Sequence, residues 1–398
     1  MPETLSLKPE IHDMLNKKEK HILFCDPKHI NTREDGTERV ALDGFPFGLA
    51  CLASYLIKNS KIPLIPHIAI FVEDIYSGIN DYNPDIVCFS NYTWNSYLSY
   101  SLASLIKKQY PKIVIIFGGP HFPLDSEDQF IFLKERPAID FYIEGEGEQA
   151  LLNLTDSLYK ADLNIEKVKN QSIFNMRTIQ NGHLISCEMI KRLPTMNDIP
   201  SPYLSGLLDD FFTSDFGLVP LTQYARGCPF SCTFCSEGTS YYSKITHRRP
   251  ISEVRKELEY IAKRSKRNKV LHIADANFGM YREDIEVAET IKSISEEYGY
   301  PEYISVSVGK NNKERVIEMA TILGGRLRLA GSVQSTDPGV LEKIKRKNIN
   351  LQDIFAFANA ARDLEANSYS EIILGLPGDT KKGYIKSVKD IIEADFEH

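Results

Sequence analysis

The sequence predicts an α/β protein, with a doubly wound domain over residues 21–160 followed by a partial β/α barrel over residues 216–398. Three observations lead there. Short, nearly all-apolar runs alternate with helical patterns in both halves, which is how parallel strands buried on both faces read. Residues 161–215 interrupt that alternation. The 398 residues, 42% of them apolar, are enough for two separate cores.

Residues 1–20 are polar and outside any periodic pattern. Residues 22–25 (ILFC) open the first domain. Residues 48–59 follow as a helix, because Leu49, Leu52, Ala53 and Leu56 recur at three- and four-residue spacing. Further strands are expected at 68–71, 86–90, 113–117 and 141–143. The helix over 97–109 carries Leu98, Leu102, Leu105 and Ile106 on one face. In such a sheet, ligands bind outside the C-terminal ends of the strands.

Within 161–215, the runs 172–177 and 183–188 flank Asn181-Gly182, a dipeptide suited to a tight hairpin turn. The proline-rich stretch 193–203 reads as a linker. Strands are then expected at 221–225, 270–274, 304–308, 327–333 and 369–374, with amphipathic helices over 252–262, 283–297, 313–323 and 351–364. Five βα units in order predict a TIM-type barrel. The last helical pattern runs to His398, so the barrel is expected to be truncated before its sixth strand.

Charge and composition narrow the function. Lys and Arg number 47 against 54 Asp and Glu, a net −7 that offers no general attraction for nucleic acid. The basic run 263–269 (KRSKRNK) reads as a helix end and its exposed loop, where cations favour the helix dipole. The longest apolar stretch, 62–72, is broken by Pro63, Pro66 and His67, whereas a membrane span needs about 20 apolar residues. With no apolar signal core, a cytoplasmic protein that engages neither membrane nor nucleic acid is expected.

Three of the seven cysteines fall within eight residues, as Cys228-Pro-Phe-Ser-Cys232-Thr-Phe-Cys235. In a reducing compartment such a cluster binds metal more often than it forms disulfides. It follows the first barrel strand, where ligand loops belong. Thiolates at C-x3-C-x2-C spacing can each take one iron of a [4Fe–4S] cubane, leaving the fourth iron open. Zinc is the alternative, but a structural zinc closes on four ligands and the next candidate, His247, lies 12 residues on. Cys25, Cys51, Cys88 and Cys187 sit in apolar contexts and read as core residues.

The segment 216–398 resembles the radical S-adenosylmethionine (SAM) superfamily, whose signature has this cysteine spacing and an aromatic residue before the third cysteine, here Phe234. The resemblance implies that SAM chelates the open iron and is cleaved reductively to methionine and a 5′-deoxyadenosyl radical. It places contacts to the SAM amino group at Asp275 and Asn277, although this stretch lacks the usual GGEP wording. It places Lys310 after the third strand, Ser332 and Gln334 at the end of the fourth, and a close approach to adenine at Gly375 in 372–379 (IILGLPGD).

Residues 21–160 resemble the Rossmann-like cobalamin-binding domain that precedes the barrel in one radical SAM subgroup. The segments that carry this are Ser90-Asn-Tyr-Thr-Trp94 after one strand, Gly118-Gly-Pro-His121 after another, and Glu144-Gly-Glu-Gly-Glu148 after the last, with Ser90, Tyr92, Thr93, Gly118, Gly119, His121, Glu144, Gly145 and Glu146 as the candidate contacts. One departure stands out. Many cobalamin domains carry D-x-H-x-x-G, whose His sits beneath cobalt, and here Asp26-Pro-Lys28-His29 puts Lys28 at that position. The resemblance implies a cobalamin-dependent radical SAM enzyme, with methyl transfer to an unreactive carbon among the subgroup's reactions. It also implies a small-molecule or natural-product substrate and an electron donor such as flavodoxin or ferredoxin. Two other readings stand beside it: a radical SAM enzyme whose first domain holds no cobalamin, and a non-enzymatic cobalamin or metal-binding sensor.

Overall fold

The computed structural model describes residues 19–32, 36, 38–40, 43–242, 247–309, 312–327, 329–330, 332–346 and 368–395. The chain forms two compact units, one of Met1–Leu42 with Gly48–Lys191 and the other of Asp43–Phe47 with Arg192–His398.

In the first unit, β1 (Lys20–Cys25), β2 (Leu64–Ala69), β3 (Ile86–Ser90), β4 (Val114–Gly118) and β5 (Phe141–Ile143) run parallel in the order β2-β1-β3-β4-β5. The helices α1 (Phe47–Asn59), α2 (Val72–Tyr82), α3 (Ser96–Gln109), α4 (Ser126–Lys134) and α5 (Glu148–Lys160) fall between or after them. This is the doubly wound order, with its switch point between β1 and β3.

The strand composition follows from the burial. Ile22, Leu23, Phe24 and Cys25 are all buried, and successive side chains point to opposite faces, so both faces must be apolar. On one face Leu23, Val87, Phe89, Ile115 and Phe117 pack with Ile75, Ile79, Leu102, Ile106 and Phe132 from α2, α3 and α4. Each such side chain contributes roughly 1.5–3 kcal/mol on burial. Two further strands, β6 (Met176–Gln180) and β7 (His183–Ser186), join antiparallel beyond β5. Asn181 (φ 48) and Gly182 (φ 76) form their turn, where both residues adopt the left-handed conformation that a two-residue hairpin requires.

In the second unit, β8 (Leu221–Thr222), β9 (Val270–Phe278) and β10 (Tyr303–Val308) are parallel neighbours. Leu327 bridges in parallel to Ile304, β11 (Leu329–Ala330) pairs in parallel with β12 (Ser368–Tyr369), and Gln334 bridges Ile372. The five expected strand positions therefore succeed one another in barrel order. Helices α6 (Ile251–Arg264), α7 (Glu283–Tyr298), α8 (Lys313–Leu323), α9 (Pro338–Lys343) and α10 (Lys381–Glu393) complete the described part.

Several details differ from the sequence reading: the strand expected at 68–71 forms earlier, at Leu64–Ala69, and the first hairpin strand forms at Met176–Gln180, later than the run 172–177. The first strand stops at Thr222, and Ala225–Arg226 turns aside to pair antiparallel with His247–Arg248. The second strand runs past Ala274 to Phe278, with a register shift after Ile273, because buried Phe278 pairs again with Val308. Asp275 and Asn277 thus stand on a strand and not in a loop. The last helix ends at Glu393, followed by Asp395 at φ 62, a left-handed residue of the kind that stops a helix. The helix expected over 351–364 lies outside the described residues, as does Lys310. No described helix is long and apolar enough to cross a membrane.

Candidate functional site

The loop after β8 carries the three cysteines. Gly227, at φ 106, turns the chain into Cys228, and the Cys235 N–H donates to the Cys232 carbonyl at 3.3 Å. Gly238 closes the turn by donating to the Cys235 carbonyl at 3.0 Å. A Cβ at Gly238 would lie 2.0 Å from the Cys232 carbonyl oxygen, so only glycine permits this approach. Arg192 holds the loop's flanks, donating to the Arg226 carbonyl at 3.2 Å and the Tyr242 carbonyl at 3.4 Å. Cys232 is buried, while Cys228 and Cys235 are partly exposed. Among the described residues, no three His, Cys, Asp or Glu side chains gather as a single-ion site. Cubane ligands stand farther apart than zinc ligands, because each thiolate takes a different iron.

Residues i and i+2 on a strand share a face, and β9 uses this to bring Asp275 and Asn277 to the cysteine loop. Asp275 Oδ1 accepts the backbone N–H groups of Tyr224 at 2.8 Å and Ala225 at 3.0 Å. Asn277 Nδ2 donates to Cys228 Sγ at 3.2 Å. The remaining oxygens, Asp275 Oδ2 and Asn277 Oδ1, are buried and accept no hydrogen bond. A buried polar atom left in this state costs about 1–3 kcal/mol, so these two fit a bound group that brings N–H donors. Burial raises the Asp275 carboxyl to about 7, against the backbone N–H groups of Ala225 and Tyr224 that favour its charged form.

The loop beyond β9 is pinned by Asp284. Its Oδ2 accepts from the Gly279 and Tyr281 N–H groups, both at 2.9 Å, and its Oδ1 pairs with Arg248 at 2.6 Å. At the fourth strand, Ser332 donates to Glu371 Oε2 at 2.7 Å, and Gln334 (φ 67) exchanges backbone bonds with Glu371 and Ile373. Arg346 donates to the Ser332 carbonyl and lies 5.9 Å from the Phe234 ring centroid, which ties this strand end to the cysteine loop. Gly375, at φ 81, lies on the turn after the fifth strand and has open space around its Cα.

In the first unit, Ser90 ends β3 and donates to Asp26 Oδ1 at 2.6 Å, across the switch point. Asn95 donates to both, at 2.8 Å to Ser90 and 3.1 Å to Asp26. Lys28 Nζ lies 3.4 Å from Asp26 Oδ2, with its side chain 8% exposed, while His29 is exposed. A second cluster centres on buried Asn91, whose Nδ2 donates to the His121 carbonyl at 2.5 Å and Tyr142 Oη at 3.0 Å. Tyr142 donates on to the Gly119 carbonyl at 2.7 Å. Exposed Thr93 and His121 meet at 3.4 Å, and Tyr92 stacks on Trp94. Glu144 pairs with Arg177 at 2.7 Å, and Asn175 donates to the Glu144 carbonyl at 2.7 Å and the Glu146 carbonyl at 3.4 Å around Gly145 (φ 78). Gly118 ends β4 and pairs with both Ser90 and Ile143.

Family comparison agrees with this two-part arrangement. The B12 binding domain family matches residues 35–155, and the radical SAM superfamily matches residues 222–391. The chain belongs to the radical SAM superfamily, in the subgroup with an N-terminal cobalamin-binding domain.

This radical SAM chain is 31% identical over 330 residues to the cobalamin-dependent radical SAM methyltransferase TokK of Streptomyces tokunonensis, covering 81% of this chain and 46% of that protein. It is 30% identical over 330 residues to the 2-(S-pantetheinyl)-carbapenam-3-carboxylate methyltransferase of Streptantibioticus cattleyicolor, with the same coverage of each. The chain thus spans about half the length of these two relatives. The structure of the radical SAM methyltransferase TsrM from Kitasatospora setae, with cobalamin and a [4Fe–4S] cluster bound, shares the fold. Its TM-score is 0.70 at 13% identity, over 95% of this chain and 71% of that one.

Several residues that organise the radical SAM unit and its companion escaped the sequence reading. Arg177, Asn175 and Arg346 reach their partners across folds in the chain and have no local signature. Cys25 and Cys88, read as core, are buried, and burial pushes both thiols well above their ordinary value.

Proposed function

We propose that this chain is a cobalamin-dependent radical SAM enzyme that transfers a methyl group to an unreactive carbon of a small-molecule or natural-product substrate. The observation that carries it is the cysteine loop at the end of β8 with the two unsatisfied buried oxygens of Asp275 and Asn277 beside it. Cys228, Cys232 and Cys235 would hold a [4Fe–4S] cluster. Asp275 Oδ2 and Asn277 Oδ1 would accept the N–H donors of the SAM ammonium. Phe234, Ser332 and Gln334 would line the same end, and the φ of Gly375 leaves its backbone open to a nucleoside.

When bound, the cluster, SAM and cobalamin supply a hydrogen-abstracting radical and a methyl donor, and the protein supplies orientation and shielding from water. Ser90, Tyr92, Thr93, Gly118, Gly119, His121, Glu144, Gly145 and Glu146 would cradle the corrin and its amide arms. The ammonium of Lys28 has no lone pair for cobalt, and its pairing with Asp26 holds it in place. Electrons would come from a small donor such as flavodoxin or ferredoxin. The two bacterial relatives support methyl transfer as the reaction, by their names.

The test is anaerobic incubation with SAM, methylcobalamin, a low-potential reductant and candidate small molecules, with products read by mass. Formation of 5′-deoxyadenosine with a methylated product is expected. Cluster-loaded protein that releases no 5′-deoxyadenosine would overturn the enzymatic reading, and full activity without cobalt would favour a domain that holds no cobalamin.

A further inference from the structure

Asn277 presents one amide to two different demands. Its Nδ2 lies 3.2 Å from Cys228 Sγ, and its Oδ1 is buried with no donor. We infer that Asn277 tunes the reduction potential of the cluster by hydrogen-bonding the Cys228 thiolate, an inference that rests on the cluster reading above. Chemistry decides the orientation of the amide. A metal-bound thiolate has lone pairs and no proton, so the N–H side must face it, and a flipped amide would set oxygen against sulfur.

The geometry is held from both sides. Asn277 is buried on β9, and its neighbour Phe278 is locked by pairing with Val308. Two residues earlier on the same face, Asp275 grips the backbone N–H groups of Tyr224 and Ala225, the residues that lead into Cys228. The donor and the sulfur are thus fixed relative to each other by main chain.

The effect on potential has a definite sign. One-electron reduction makes the cluster and its three thiolates more negative, and an N–H dipole pointing at a ligand sulfur stabilises that state more than the oxidised one. In a water-poor setting the difference is larger than in solvent. Asn277 therefore raises the potential, acting through Cys228 as a positioning residue.

The experiment compares the reconstituted wild type with Asn277→Leu and Asn277→Ala, made in parallel. Iron is counted first, then the midpoint is read by anaerobic potentiometry followed by EPR, without SAM. Variants with wild-type iron content should show a reduction equilibrium constant about tenfold lower, a midpoint about 59 mV more negative for one electron. An unchanged midpoint in either iron-replete variant overturns the inference, and so does loss of the cluster from both, which would make Asn277 purely structural. A wild type that takes up no four-iron cluster would instead sink the cluster reading itself.

Discussion

Asp275 Oδ1 accepts the Tyr224 backbone N–H at 2.8 Å, so a carboxylate on the second barrel strand positions the main chain just ahead of the cysteine loop. Burial raises this carboxyl to about 7, whereas an unfolded Asp titrates near ~3.9. Between those values the folded chain holds a proton that the unfolded chain has lost. Stability contributed by this group therefore falls as pH rises from about 4 to about 7 and is flat above. In the cluster-free protein, urea unfolding across this range should show a steeper decline for wild type than for Asp275→Asn. Parallel pH profiles would refute the assignment.

Changing any one of Cys228, Cys232 and Cys235 to Ala should remove most of the roughly four irons expected of a reconstituted cubane. SAM cleavage should be lost in all three. The check is iron and sulfide content beside 5′-deoxyadenosine release. A Cys232→Ala protein that retains a SAM-cleaving cluster would show that the ligand set is wrong.

Gly119 occupies φ 133, and a Cβ there would sit 2.6 Å from the Asn91 carbonyl oxygen. Gly119→Ala should destabilise the first unit by about 1–3 kcal/mol, the usual cost of such backbone strain, and displace the Asn91–Tyr142–His121 cluster. Thermal unfolding and equilibrium cobalamin binding report the two effects. A variant as stable as wild type that binds cobalamin equally well would mean this turn tolerates a side chain.

Cobalt(II) cobalamin bound to the protein should give EPR lines without splitting by an axial nitrogen. Lys28 is the residue at the position where other cobalamin domains place a histidine, and it is engaged with Asp26. Nitrogen splitting that vanishes in His29→Ala would show that the exposed neighbour has taken the ligand role.

Much of this protein was legible from local pattern. The apolar runs at 22–25, 86–89 and 113–117 specify strands covered on both faces, because alternation in a strand sends every second side chain to the opposite side. The spacing of Cys228, Cys232 and Cys235 belongs to one loop and needs no long-range information. Ending the second strand at Ala274 failed for a physical reason: the polar side chains of Asp275 and Asn277 look like a turn, but buried Phe278 returns the chain to the sheet.

The linear chain by itself determined the order of elements, the two kinds of domain and the cysteine triplet, since helical and strand periodicity and short-range spacing are local properties. Tertiary structure alone decided which polar atoms meet. Asp275 reaches Tyr224 across 51 residues, Asn277 reaches Cys228 across 49, and Asn91 reaches Tyr142 across 51. Such contacts depend on strand register, and a shift of one residue would turn each side chain to the other face of its sheet.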